Sequence, residues 1–152
     1  MSGVFFDTNV LFYLFDAAAP DKRARARALY EEHAANGELV ISTQVLIELY
    51  ASLTRKGRRD ADQALEVVSL LAQERVMSAD APFVERALHL SHEHQLSSWD
   101  GLIVQAAIDA DCSVLLSEDM HAGLRFGSLT IVNPFALAAH ERAAAPKRRP
   151  RR

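Results

Sequence analysis

The strongest constraint on the fold is an alternation of short apolar runs with longer stretches of helical periodicity. Val4–Asp7, Leu39–Ser42, Ser113–Ser117 and Thr130–Val132 read as strands, and Arg75–Met77 as a weaker one. Between them, a short helix is expected from about Asn9, and a charged helix from about Pro20 to Ala35, stopped by Asn36-Gly37. Ser42 or Thr43 caps a helix to about Lys56, ended by Gly57, and another covers roughly Asp60 to Gln73. Asp80 caps a helix reaching His94, and Ser97 or Ser98 caps one to about Asp111. Pro134 opens a terminal helix fading near Ala145. Strands alternating with helices in this way imply an α/β domain around a mainly parallel sheet.

A length of 152 residues suits one such domain, taken as residues 1–145, with a basic tail at 146–152. The tail carries Lys147, Arg148, Arg149, Arg151 and Arg152, and its composition is that of a disordered segment. With those five set aside from the 17 basic residues, 12 remain against 20 acidic ones, so the net −3 hides a body at a formal −8. Two basic clusters lie within that acidic body: Lys22, Arg23, Arg25 and Arg27, and then Arg55, Lys56, Arg58 and Arg59. Taken alone they read as solvated helix faces rather than as a surface for a polyanion. No apolar run is long enough to cross a membrane, the first residues lack a signal peptide's order, and Cys112 is the only cysteine. A reducing, cytoplasmic setting is expected.

Four acids stand at element ends along the chain: Asp7 after the first strand, Glu48 within Val45-Leu46-Ile47-Glu48-Leu49, Asp100 in Trp99-Asp100-Gly101, and Asp119 after Leu115-Leu116-Ser117. Each borders or interrupts an apolar run, where an uncompensated charge is costly. Asp7 and Asp119 share the carboxyl edge of the sheet if their strands are parallel neighbours. Glu48 falls at the edge of the stripe formed by Val45, Leu46, Leu49, Tyr50 and Leu53. Asp100 shares a helix face with Ile103, Val104 and Ala107. Each acid has an ordinary explanation as a cap, a boundary glutamate or a first-turn carboxylate. All four converging is harder to explain that way.

A cluster of carboxylates is most simply relieved by Mg²⁺ or Mn²⁺, which prefer carboxylate, water and phosphate oxygens. Such an ion polarises a phosphodiester and lowers the pKa of a bound water. Asp7 and Asp119 would be direct ligands, Asp100 would ligate or orient a second ion, and Glu48 would act through water or help deprotonate the attacking one. Thr8, Asn9 and Ser117 would hydrogen-bond the carboxylates. Competing chemistries have less to stand on. Cys112 has no histidine motif beside it, and His89, His92 and His94 make a poor zinc set. There is no Gly-rich phosphate loop. A dehalogenase-like phosphatase wants a carboxylate two residues after the first aspartate, where this chain has Asn9.

Phe6-Asp7-Thr8-Asn9-Val10-Leu11, Ser42–Leu49, Trp99–Ala107 and Leu115-Leu116-Ser117-Glu118-Asp119-Met120 occur in the order and spacing of a known family. Over about residues 3–135 the sequence resembles PIN domains, and within them the VapC-type toxins of bacterial toxin–antitoxin pairs. The resemblance implies a three-layer α/β fold and a Mg²⁺- or Mn²⁺-dependent endoribonuclease. It also implies a homodimer and a cognate antitoxin that blocks the site. By position, Asp7, Glu48, Asp100 and Asp119 match the family's acids, Thr8 and Asn9 the polar pair after the first, and Ser117 the usual Ser/Thr before the last. Asp16, often acidic in relatives, reads as solvated. Gly101 replaces the Ala of many relatives, which would loosen the helix start. The alternative is a degenerate PIN fold that binds RNA or an antitoxin without catalysis.

Overall fold

The computed structural model describes residues 2–136. Among them are six strands and six α-helices: β1 (Gly3–Phe6), α1 (Thr8–Phe12), α2 (Pro20–Ala35), β2 (Leu39–Ser42), α3 (Thr43–Arg55), α4 (Ala61–Leu71), β3 (Arg75–Met77), α5 (Ala81–His94), α6 (Ser98–Asp109), β4 (Cys112–Leu116), β5 (Arg125–Phe126) and β6 (Leu129–Val132). A 3-10 turn, Tyr13–Phe15, follows α1. The helix expected beyond residue 136 and the basic tail lie outside the described residues.

The strands form one sheet in the order β3-β2-β1-β4-β6-β5, parallel except for the β5–β6 pair. β1 and β2 are buried at every residue, so helices must cover both faces of the sheet. Phe5, Phe6, Ile41 and Leu115 fill its centre, and Val10, Leu11, Val45, Leu49 and Leu53 pack from the helices. The expected α/β architecture holds.

Local chemistry sets the element ends. Ser42, Asp60, Asp80 and Ser97 each accept a hydrogen bond from the third residue of the following helix, and Asp60 forms a reciprocal capping box with Gln63. Gly37, at φ +67°, turns the chain out of α2. Sequence reading missed β5. Its two residues pair with Leu129 and Thr130 through a turn at Gly127 (φ +61°), and a two-residue edge strand has no periodicity to detect.

Gly101 has a packing role that the sequence did not reveal. It is buried where α6 crosses α5, and a Cβ there would run into Ser91 Oγ and stand 2.9 Å from the Ala87 carbonyl oxygen. The missing side chain permits a close helix–helix approach.

Candidate active site

The site is built where the strand order reverses, between β1 and β4. These strands are parallel neighbours in the register Phe6↔Leu116, and the Asp7 amide donates to the Leu116 carbonyl at 3.0 Å. Asp7 and Ser117, each one residue past its strand, are therefore held side by side at the carboxyl edge. Asp7 Oδ2 accepts from Ser117 Oγ at 2.8 Å and from Asn9 Nδ2 at 3.4 Å, while Oδ1 accepts from the Thr8 amide at 2.8 Å. Burial pushes the Asp7 carboxyl from the usual 3.8 up to about 6. The hydrogen bonds from Ser117 and Thr8 oppose that rise, and the Glu48 and Asp100 carboxylates add to it.

Glu48 reaches the same place from α3. Val45, Leu49 and Leu53 are fully buried, whereas Leu46 and Tyr50 are only partly so and Ile47 faces out, which leaves Glu48 half-buried at the stripe's edge. Its Oε2 accepts from Thr8 Oγ1 at 2.8 Å and its Oε1 from Gln44 Nε2 at 2.7 Å. Thr8 thus holds two carboxylates, one by its amide and one by its hydroxyl. Gln44 also donates to the Trp99 carbonyl at 3.4 Å, joining α3 to the start of α6. Asp100 lies in the first turn of α6, half-buried, with its amide on the capping Ser97 hydroxyl at 3.1 Å.

Asp119 is exposed in the loop after β4. Asn9 Nδ2 donates to its Oδ2 at 3.0 Å and lies 3.4 Å from Ser117 Oγ, while Asn9 Oδ1 accepts from the Glu118 amide at 3.1 Å. The loop has a second brace that the sequence did not reveal. Glu118 Oε1 accepts from Lys22 Nζ at 2.8 Å and from Tyr13 Oη at 3.0 Å, and Lys22 sits over the Tyr13 ring.

Asp7, Glu48, Asp100 and Asp119 all line one cleft of about 460 Å³, with Thr8 and Asn9 beside them. Among the described residues, no Lys, Arg or His forms an ion pair with any of the four. Asp16 lines the cleft too, half-buried and capping the Ala18 amide at 3.1 Å, so it is not simply solvated. Arg55 and Lys56 also line it; sequence reading assigned them to a solvated face.

The other basic residues mostly serve the fold. Arg23, Arg25 and Arg59 donate to the carbonyls of Leu14, Pro134 and Phe15, and Arg27 pairs with Glu31. His89, His92 and His94 are exposed on α5. Cys112 is buried, with its thiol pushed up to about 11 chiefly by burial, the wrong direction for a nucleophile.

The donors fit a hard cation. They are carboxylate oxygens without an ion-pair partner among the described residues, and the most buried of them ionises reluctantly, a cost that a bound cation would reverse. Among the described residues, no three His, Cys, Asp or Glu side chains are grouped closely enough to enclose an ion by themselves. The acids surround the cleft rather than form a cage. An open arrangement of this kind leaves coordination positions for water and phosphate oxygens.

The PIN domain family model matches residues 4–122. No curated protein sequence matches the chain significantly. Its fold is similar to a toxin–antitoxin complex from Klebsiella pneumoniae, at 20% identity and a TM-score of 0.66, covering 87% of this chain and 98% of that one. It is also similar to the sarcin-ricin-loop-cleaving toxin VapC20 of Mycobacterium tuberculosis, at 20% identity and a TM-score of 0.64, covering 77% and 92%. A third similar structure is FitAcB from Neisseria gonorrhoeae, at 17% identity and a TM-score of 0.58, covering 87% and 98%.

Proposed function

The chain belongs to the PIN-domain family, and on that premise we propose that it is a metal-dependent endoribonuclease, the toxin of a type II toxin–antitoxin pair. One observation carries this reading: four carboxylates from distant parts of the sequence line a single cleft, and among the described residues no basic side chain forms an ion pair with them. A surface meant only to bind a polyanion would not concentrate negative charge there.

Asp7, Asp119, Asp100 and Glu48 are the residues that would hold Mg²⁺ or Mn²⁺. A divalent ion held there would supply positive charge to the phosphodiester and lower the pKa of a bound water. The protein's own contribution is arrangement. Ser117 and the Thr8 amide fix Asp7 from two sides, Asn9 links Asp7 to Asp119 across the sheet edge, and Thr8 and Gln44 orient the two oxygens of Glu48. Glu48, half-buried and so held, would act through water or help to deprotonate the attacking one.

The test is cleavage of a mixed structured RNA pool by purified protein free of any antitoxin, with and without Mn²⁺. Discrete products that need the metal, with a fall of at least about 100-fold in Asp7→Asn and Asp100→Asn, are expected. Metal-dependent cleavage unchanged in both variants would remove the assignment.

Similar structures that are toxin–antitoxin complexes support a cognate antitoxin as partner. A homodimer is part of the same reading. Helix α4 offers such partners Leu65 and Leu70, 52% and 66% exposed. Co-expression with a neighbouring small gene product should give a complex on size-exclusion chromatography, and separate elution would count against the antitoxin.

A further inference from the structure

Beside the acidic cleft lies an apolar groove of about 590 Å³, lined in part by Ile47, Met77, Phe83, Val84, Trp99 and Leu102. The two cavities share Glu48, Ala51 and Arg55, spaced three and four residues apart along one face of α3. Trp99 is 65% exposed and Ile47 70% exposed, so two large apolar side chains stand in water next to a charged cleft. Trp99 is also fixed relative to the acids. It precedes Asp100, and its carbonyl accepts from the Gln44 amide that orients Glu48.

The cations at this junction are free. Neither the Arg55 nor the Lys56 side chain makes a hydrogen bond or an ion pair with any described residue, although five carboxylates line the cleft with them. An unengaged guanidinium is a ready partner for phosphate. A nucleotide of single-stranded RNA has the same two-part character as these adjoining cavities: an anionic phosphate, and a flat base that stacks on aromatic rings.

We propose that the groove is a base-binding subsite of the ribonuclease site. With the scissile phosphate in the acidic cleft, Arg55 holds a neighbouring phosphate and an unpaired base lies against Trp99 and Ile47. This rests on the ribonuclease reading above and extends it to unpaired RNA, because a base inside a duplex already has both faces stacked. Trp99 and Arg55 then position substrate and take no part in bond cleavage.

Trp99 is the chain's only tryptophan, so its fluorescence reports on the groove alone. The experiment titrates the Asp7→Asn protein, in which RNA is expected to survive, with a short oligouridylate and with an abasic ribose-phosphate oligomer of equal length. Oligouridylate should quench Trp99 saturably, and the abasic oligomer should bind without quenching. By anisotropy of labelled oligomers, Trp99→Leu should weaken oligouridylate about tenfold and leave the abasic oligomer unchanged, with Trp99→Phe restoring most of the loss. Arg55→Gln should weaken both. Equal binding of the two oligomers without quenching would overturn the subsite. So would a Trp99 signal that follows protein concentration without RNA, which would make the groove an interface between copies. Cleavage by the unsubstituted protein, run in parallel, separates the two readings. Metal-dependent cleavage without any base effect removes only the subsite, whereas base-dependent quenching without cleavage removes only the hydrolysis.

Discussion

Asp7 accepts three hydrogen bonds and still ionises reluctantly, because loss of water around a buried carboxylate outweighs what Ser117 and the Thr8 amide return. The fold therefore favours its protonated form. The stability this contributes is present below pH 4 and is lost as the pH rises through about 6. A shift from 3.8 to about 6 corresponds to about 3 kcal/mol. In metal-free buffer, the Tm difference between the natural protein and Asp7→Asn should change in favour of the variant between those values and level off above them. A difference independent of pH would show that Asp7 titrates normally. Since an ion needs the carboxylate ionised, Mn²⁺ affinity should rise over the same interval.

At the scale of elements, α6 carries Asp100 and its placement depends on two contacts. One is the Ser97 cap, whose hydroxyl accepts from the Asp100 amide. Ser97→Ala should cost about 1 kcal/mol in urea unfolding and weaken cleavage more than its stability loss explains, because the turn it frees bears the acid. The other is the close crossing of α5 and α6 at Gly101. Gly101→Ala puts a methyl group against Ser91 and the Ala87 carbonyl, which should cost about 1–3 kcal/mol. Adding Ser91→Ala should recover part of that loss and no more, since the Ala87 backbone stays in place. Full tolerance of Gly101→Ala would mean that the helices separate freely.

For the whole molecule, the prediction concerns the acidic cleft. Four carboxylates brought together by folding are apart in the unfolded chain, so an ion that binds them binds only the native state. Saturating Mn²⁺ should raise the Tm, by an amount equivalent to about 2.7 kcal/mol at one hundred times the dissociation constant. Asp7→Asn should melt higher without metal and respond less to it. A native protein indifferent to Mn²⁺ would favour a metal-free binding module. Lys22→Met tests how far the scaffold reaches. It removes the brace on Glu118, a partly exposed pair worth no more than about 1 kcal/mol, so stability should barely change while the loop bearing Asp119 loosens.

Apart from β5, the sequence by itself determined the strands and α-helices and their order. Helix caps, Gly37 and the apolar periodicities act over a few residues, so α2 at Pro20–Ala35 and β2 at Leu39–Ser42 were legible to the residue. The four acids stood out because each broke a local apolar pattern, as Glu48 does in α3. What the tertiary structure decided is everything that depends on distance across the fold. The β1–β4 register sets Asp7 beside Ser117, 110 residues away. The end of α3 brings Arg55 into the cleft, and the crossing of α5 and α6 gives Gly101 its purpose. None of these has a local signature, because a free cation and a solvated one, or a packing glycine and a loosening one, have the same neighbours in sequence. Only packing distinguishes them.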